Sequence, residues 1–275
     1  MRVGYSEFSF GYAFTENLIR SASTTPQGAP VFPNLVQEAH LGFDVRINLP
    51  GLPLFFQYKL PELMRRSNAF EISTFNLNGF SVPFFRMPLM RRDVSRQHQL
   101  LIELESRYPG AVHYASACLA SVEEFDRAYN AASVHKQSIL FSPAEIGPLP
   151  DDTSHTVSYK NGLSVAYLCS EPRAIRAKMY EAFAREVRSS FEMDRFRSLR
   201  VASHELRDTV RSLVSAPMRE SENSISERIA SRRILELERP GTSAEDEEVI
   251  RDVLVAREMA RVDLGVDLLV AQPRQ

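Results

Sequence analysis

From Phe43 to Leu49 the chain alternates. Phe43, Val45, Ile47 and Leu49 are apolar, and Asp44, Arg46 and Asn48 between them are polar. A period of two predicts a strand with two different faces. Pro50-Gly51-Leu52-Pro53 is turn chemistry. The run that follows, "PLFFQYKL", places Phe55, Gln57 and Lys59 on one face and Leu54, Phe56, Tyr58 and Leu60 on the other. Residues 42–60 therefore read as a β-hairpin with Gly51 and Leu52 as its loop. In that register Asp44 faces Lys59 and Arg46 faces Gln57. Directly opposed residues project to the same side of a sheet, so Asp44, Gln57 and Lys59 converge on one face. A slip of one residue would separate them, and slips are disfavoured where one face is buried.

The flanking pattern supplies the other elements. "FPNLVQEAHLG" predicts a short helix with Asn34 near its start and Gly42 after its end. Strands are predicted over 69–75 and 80–87. A helix over 94–108 is capped by Asp93 or Ser95 and stopped by Pro109-Gly110. "AVHYASACL" reads as a strand, and "SVEEFDRAYNAAS" as a helix opened by the capping box Ser121 and Glu124. "SILFSP" is a further strand, and "HTVSYKNGLSVAYLC" a hairpin turning at Asn161-Gly162. From Ser170, a candidate cap, helices are predicted over 172–191, 195–215, 221–238 and 243–260. "VDLGVDLLVAQ" reads either as a closing strand or as a frayed helix end. Charge density changes at the same place, from 30 charged side chains in the first 171 residues to 38 in the last 104. The expected fold is α+β (α/β), a mixed sheet flanked by helices over 1–171 followed by a charged helical region over 172–275. That region holds 19 basic and 19 acidic side chains. A neutral surface of mixed sign fits packing, self-association or partner binding better than a DNA-binding arm.

Net charge of −2 excludes nucleic-acid binding by bulk charge alone. The two cysteines, Cys118 and Cys169, form neither a disulfide framework nor a zinc spacing, and a reducing cytoplasm is the simplest expectation. The N-terminus has no sustained apolar core of a signal peptide, and no run approaches the ~18 apolar residues of a membrane span. A soluble, cytoplasmic protein without membrane association is expected. No P-loop, dinucleotide-binding glycine pattern or Ser-His-Asp order is present.

Cation usage is skewed. Only four of the 33 basic residues are lysine: Lys59, Lys136, Lys160 and Lys178. A lysine within an aromatic strand is thus hard to read as surface decoration. Arginine clusters locally. Between 65 and 96 lie Arg65, Arg66, Arg86, Arg91, Arg92 and Arg96 against Glu71 and Asp93, a local excess of four positive charges. Such an excess suits phosphate contact; ordinary surface arginines are the alternative. On the helix over 94–108, Val94, Gln97, Leu101, Leu104 and Tyr108 form a stripe in which Gln97 is the polar member. His98 flanks the stripe and reads as a surface residue.

A helix carrying Glu38, a strand carrying Asp44 and a strand carrying Gln57-Tyr58-Lys59 together resemble the PD-(D/E)XK nuclease superfamily. The resemblance covers about residues 31 to 120. Glutamine at 57 departs from the commoner glutamate and is similar to the Asp…Gln-x-Lys form of Mrr-like restriction endonucleases. Phe43 stands where the "PD" proline would be. The resemblance implies an αβββαβ core and a metal-dependent DNA endonuclease. Asp44, Gln57, Lys59 and Glu38 would be its catalytic set, with Mg²⁺ or Mn²⁺ held by Asp44, Gln57 and Glu38. Lys59 would orient water or stabilise the transition state. Gln97, beside the active hairpin, would touch substrate or water, unless it is a buried glutamine bonded to backbone. Arg86, Arg91, Arg92 and Arg96 would contact DNA. The resemblance also suggests a restriction or phage-defence role, with a homodimer or a defence-system partner. Three other readings stay open. One is a non-catalytic adaptor or oligomerising module on a degenerate nuclease fold. Another is an RNA nuclease. In the third, Asp44 and Lys59 form an ordinary cross-strand pair on a solvated hairpin.

Overall fold

The computed structural model describes residues 3–21, 52–77, 79–169, 172–193, 199–213, 227, 244–264 and 266–271. The helix expected over 32–42, the strand expected over 43–49, Glu38 and Asp44 lie outside these residues. So does the helix expected over 221–238, apart from Glu227. The chain divides into two compact units. The first comprises Met1–Ala22 and Phe56–Glu186, the second Ser23–Phe55 and Val187–Gln275.

The first unit begins with α1 (Glu7–Ser21), a helix that the sequence pattern did not single out. Phe8, Phe10, Tyr12 and Phe14 alternate along the chain, but Phe10, Ala13 and Phe14 are buried while Phe8 and Tyr12 are exposed. The burial therefore follows the helical period. Ser6 Oγ accepts a hydrogen bond from the Ser9 N–H at 3.0 Å, covering a donor that the first turn leaves unpaired. β1 (Leu52–Lys59), which crosses from the second unit into the first at Phe56, is the second run of the expected hairpin. It is followed by β2 (Glu62–Met64), α2 (Phe70–Ser73) and β3 (Phe84–Pro88). Next come α3 (Gln97–Arg107), β4 (Val112–Ala117), α4 (Val122–Asn130) and a 3-10 turn at His135–Gln137. β5 (Ser138–Phe141), α5 (Pro143–Ile146), β6 (Thr156–Tyr159), β7 (Val165–Leu168), β8 (Arg173–Arg176) and β9 (Lys178–Met179) complete the strands of this unit. α6 (Tyr180–Met193) crosses the boundary between the units. The second unit holds α7 (Leu199–Leu213), α8 (Ala244–Leu264) and β10 (Asp267–Ala271). Of the segment read as a strand or a helix end, residues 262–264 finish α8 and Asp267–Ala271 is the strand.

The elements form an α+β fold with two sheets. One is mixed, in the order β10-β1-β4-β5-β9, and the other is antiparallel throughout, in the order β2-β3-β6-β7-β8. β4 is buried at every position. The Tyr159 hydroxyl of β6 sits 2.8 Å from Ser116 Oγ and 2.6 Å from the Ala117 carbonyl, both on β4, and so links the two sheets. Local chemistry behaves as the sequence predicts at several places. Ser121 Oγ accepts from the Glu124 N–H, and Glu124 Oε2 accepts from the Ala120 N–H at 2.6 Å. The helix expected from 94 starts at Gln97, with Arg96 and neither Asp93 nor Ser95 at its cap, although Ser95 Oγ accepts from the Gln97 N–H. Val157 pairs with Leu168 and Ser158 with Tyr167 across the Asn161-Gly162 turn, where Gly162 takes φ +81°.

Three further expectations are corrected. The strand predicted over 69–75 is the helical turn α2, because the Thr74 and Phe75 N–H groups bond back to the Phe70 carbonyl. The helix predicted from 172 begins at Tyr180, because Arg173–Arg176 pairs with β7 and Lys178–Met179 with β5. A cut at 172 would remove β8 from the antiparallel sheet and both β9 and β10 from the mixed one. His98 is 4 % exposed and not a surface residue. Its Nε2 meets the Gly147 carbonyl at 2.8 Å and its Nδ1 the Tyr114 hydroxyl at 2.9 Å. Since Nε2 must donate to the carbonyl, Nδ1 accepts from the tyrosine.

In the second unit, α7 and α8 pack together. Buried Asp252 accepts from Arg207 Nη1 at 2.6 Å and lies 3.3 Å from His204 Nδ1. Among the described residues, no helix is long and apolar enough to cross a membrane.

Two stability predictions arise here. α1 meets β1 closely at Gly11, where an added Cβ would stand 2.7 Å from the Tyr58 ring. That ring is held by a 2.6 Å hydrogen bond between Thr15 and Tyr58 and cannot readily move. Gly11→Val is expected to cost about 1–3 kcal/mol in chemical denaturation. The second concerns acid. Burial pushes the imidazoles of His98, His113 and His135 down, the latter two to about 3 and about 4. Each is therefore neutral in the fold and protonates more readily when unfolded. Their contribution is complete above about pH 6.5 and declines as pH falls toward their folded values, by up to about 1.4 kcal/mol per pH unit for each histidine. Denaturant midpoints measured from pH 8 to pH 4 should fall below pH 6.5.

Candidate functional site

β1 presents Gln57 and Lys59 to one side because they are two residues apart on a strand. Tyr58 between them points the other way, into α1, where its ring packs edge-on against Phe10 and Phe14. The two sites of contact fit the alternation in the sequence. Gln57 and Lys59 are 6 % and 8 % exposed.

Lys59 Nζ donates to Gln97 Oε1 on the first turn of α3 at 3.3 Å. Among the described residues no carboxylate lies within ion-pair distance of it. Lys178 makes the contrast, since it is equally buried but pairs with Glu186. Burial pushes the Lys59 ammonium below its ordinary value, and the charge of Glu7 opposes that shift. Gln57 Nε2 donates to the Tyr58 carbonyl at 3.1 Å, whereas Gln57 Oε1 is buried and has no hydrogen-bond partner among the described residues. A buried carbonyl left unmet costs about 1–3 kcal/mol and asks for an explanation. The strand thus combines a desolvated cation with an unused hard oxygen donor.

Gln97 reaches this site because α3 is pinned at its neighbour. His98 ties the first turn of the helix to β4 through Tyr114 and to the loop after α5 through Gly147. Of the remaining candidates, Arg86 lies elsewhere. Its Nε and Nη2 donate to the fully buried Glu71 carboxylate, and its guanidinium stacks 4.2 Å over Phe70. Arg91 is held by Asp93 and by the Asp152 carbonyl, and Arg92 by the Asp152 carboxylate at 2.7 Å. Glu71 and Asp93 within the segment pair with Arg86 and Arg91, and one distant carboxylate, Asp152, pairs with Arg92, so three of the six arginines are engaged by acids. Arg96 remains exposed, one position before Gln97. Asp44 and Glu38 lie outside the described residues, so their place relative to Lys59 is not part of this geometry.

Glu7 is the residue that the sequence reading missed at this site. Its only signal was its position as an acid in the first turn of a helix that the pattern did not reveal. Among the described residues no group of three or more His, Cys, Asp or Glu is placed to hold a metal. Gln57 Oε1 nevertheless suits a hard cation, which takes oxygen ligands including amide carbonyls. Searched against protein-family models, curated proteins and solved structures, the chain matches none.

Proposed function

We propose that this protein is a metal-dependent endonuclease that hydrolyses phosphodiester bonds in DNA, with Asp44, Gln57, Lys59 and Glu38 as its catalytic set. The observation that carries this reading is the pairing on β1 of a buried lysine and a buried glutamine oxygen, the first without a carboxylate partner and the second without a donor among the described residues. A cation and an anionic substrate satisfy both.

Mg²⁺ or Mn²⁺ would be held by Gln57 Oε1 with the carboxylates of Asp44 and Glu38. Bound there, it would supply charge neutralisation at the phosphate and a more acidic water. The residues supply the rest. Lys59 places its ammonium beside the phosphate and stabilises the negative charge that grows on its oxygens. Gln97 fixes the direction of the ammonium. Arg96, exposed at the start of α3, is the arginine best placed to meet the backbone of the nucleic acid. A defence role, a cytoplasmic setting and assembly as a homodimer or with a defence-system partner belong to the same reading and rest on the resemblance alone.

The test is cleavage of supercoiled plasmid and of a matched RNA by the purified protein, with Mg²⁺ and then with EDTA. Nicked or linear plasmid with Mg²⁺, intact plasmid with EDTA, and intact plasmid with Asp44→Ala are the expected results. Cleavage of RNA in preference to DNA would make the substrate RNA. Intact DNA and RNA under every metal condition would overturn the reading.

A further inference from the structure

We propose that Ser116 and Tyr159 are positioning residues for Lys59, two buried hydroxyls in series that hold the Lys59 carbonyl so that its ammonium reaches Gln97. The catalytic role of Lys59 rests on the function proposed above; its positioning is a separate claim with its own readout.

The hydroxyl series begins in the antiparallel sheet. The Tyr159 ring of β6 stacks on Phe85 of β3, with centroids 5.6 Å apart, and packs edge-on against Phe141 of β5 at 5.3 Å. A ring from each sheet therefore fixes the direction of its hydroxyl. That hydroxyl meets Ser116 Oγ at 2.8 Å and the Ala117 carbonyl at 2.6 Å. Ser116 Oγ in turn meets the Lys59 carbonyl at 2.9 Å. The order of protons is forced. A carbonyl oxygen only accepts, so the Ser116 proton goes to Lys59, and the Ser116 oxygen is left to accept from Tyr159. The single Tyr159 proton is shared between Ser116 and Ala117. Ser116 and Tyr159 are both fully buried, so bulk water does not compete for these bonds.

The support falls where the strand runs out. Lys59 is the last residue of β1, and Pro61, two positions on, has no N–H with which to continue a ladder. Ser116 supplies a bond that keeps the Lys59 backbone against β4. At the far end of the side chain, Nζ meets Gln97 Oε1 at 3.3 Å, already beyond the usual range of about 2.7–3.2 Å for an N–H···O bond. Gln97 cannot follow a retreating lysine, because His98 ties the first turn of α3 to Tyr114 and Gly147. A small displacement of the Lys59 backbone therefore breaks the side-chain contact. Misplacing a reacting group by about 1 Å can cost about 100-fold in rate.

Lys59-Leu60 is the one Lys-Leu step in the sequence, so protein labelled with ¹³C at the lysine carbonyl and ¹⁵N at leucine gives a single correlated signal, that of the Lys59 carbonyl. Ser116→Ala is expected to shift this carbonyl upfield, as loss of a hydrogen bond does, and to weaken the Overhauser contact between the Lys59 Cε protons and the Gln97 side-chain amide. Tyr159→Phe should shift it the same way by less, because hydrogen bonds in series polarise one another. In plasmid cleavage with Mg²⁺, Ser116→Ala should lower kcat by about 10- to 100-fold at nearly unchanged KM. Ser138→Ala is the control. It removes another buried hydroxyl, one that donates to the Val134 carbonyl at 2.7 Å, and should leave the Lys59 signals and kcat at wild-type values. A Lys59 carbonyl unmoved by Ser116→Ala, or a Lys59–Gln97 contact that survives it at full strength, overturns the proposal, as does an equal loss of kcat in Ser138→Ala. The two NMR signals need no cleavage. Wild-type protein that cuts neither DNA nor RNA overturns the nuclease reading and leaves the positioning claim to be decided by those signals.

Discussion

Lys59→Met is expected to lower plasmid cleavage by about 100- to 1,000-fold while raising thermal stability. On the function proposed above, the loss follows from removing a cation that would meet charge developing in the transition state, an effect of that size for a single preorganised donor. The gain follows from burial. Lys59 is 8 % exposed, and its ammonium is met by one amide oxygen at 3.3 Å. A buried charge with so little compensation costs stability, and methionine keeps the length and apolar stem of the side chain while removing that cost. A gain of about 1 kcal/mol would appear as a rise of about 2–4 °C in Tm. The combination is informative. Were Lys59 a member of a structural ion pair, Lys59→Met would lower Tm; a drop in Tm together with unchanged cleavage would sink the assignment.

The second large effect lies in the antiparallel sheet. Glu71→Ala is expected to destabilise the first unit by about 3 kcal/mol, the low end for breaking a buried ion pair because Arg86 retains some access to water. Glu71 is fully buried and receives Arg86 in a two-pronged contact and Ser158 Oγ at 2.6 Å. Burial opposes its charge, but the hydrogen bonds from Arg86 and Ser158 outweigh that and hold the carboxyl below its ordinary range. The sign is therefore that of a depressed acid. Its contribution is complete above about pH 4.3 and disappears as pH falls through the folded value. Wild-type protein should lose stability in two acid stages, first below about pH 6.5 as the buried histidines are strained and then below about pH 4.3 as Glu71 is protonated. Glu71→Ala should lose the second stage. Retention of both stages in that variant would assign the lower one to other carboxylates.

What could be read from the sequence was what short-range chemistry decides. The period of two in "PLFFQYKL" gave the two faces of β1, and with them the shared side of Gln57 and Lys59. Ser121 with Glu124, and Asn161 with Gly162, marked a helix start and a hairpin because capping and turn geometry depend on neighbours in the chain. What could not be read was set by distant partners. Arg173–Arg176 looked helical beside Pro172, yet β7 recruits it as a strand. Arg91 and Arg92 looked available to phosphate because Asp152, which engages both, comes about 60 positions later. His98 looked superficial at the edge of its helical stripe, and only the approach of Tyr114 and Gly147 gives it a buried place. Glu7 was invisible for the same reason, since its nearness to Lys59 depends on how α1 lies along β1.

The central claim is that a divalent cation binds beside Lys59 on β1. Mn²⁺ tests it directly, because it broadens the NMR signals of nearby nuclei and the lysine Cε spectrum is sparse. Substoichiometric Mn²⁺ is expected to broaden Lys59 well before Lys136, Lys160 and Lys178. Excess Mg²⁺ or EDTA should restore the signal, and Asp44→Ala should prevent the broadening. A Lys59 resonance that broadens no sooner than the other three, or that broadens equally in Asp44→Ala, would contradict the claim.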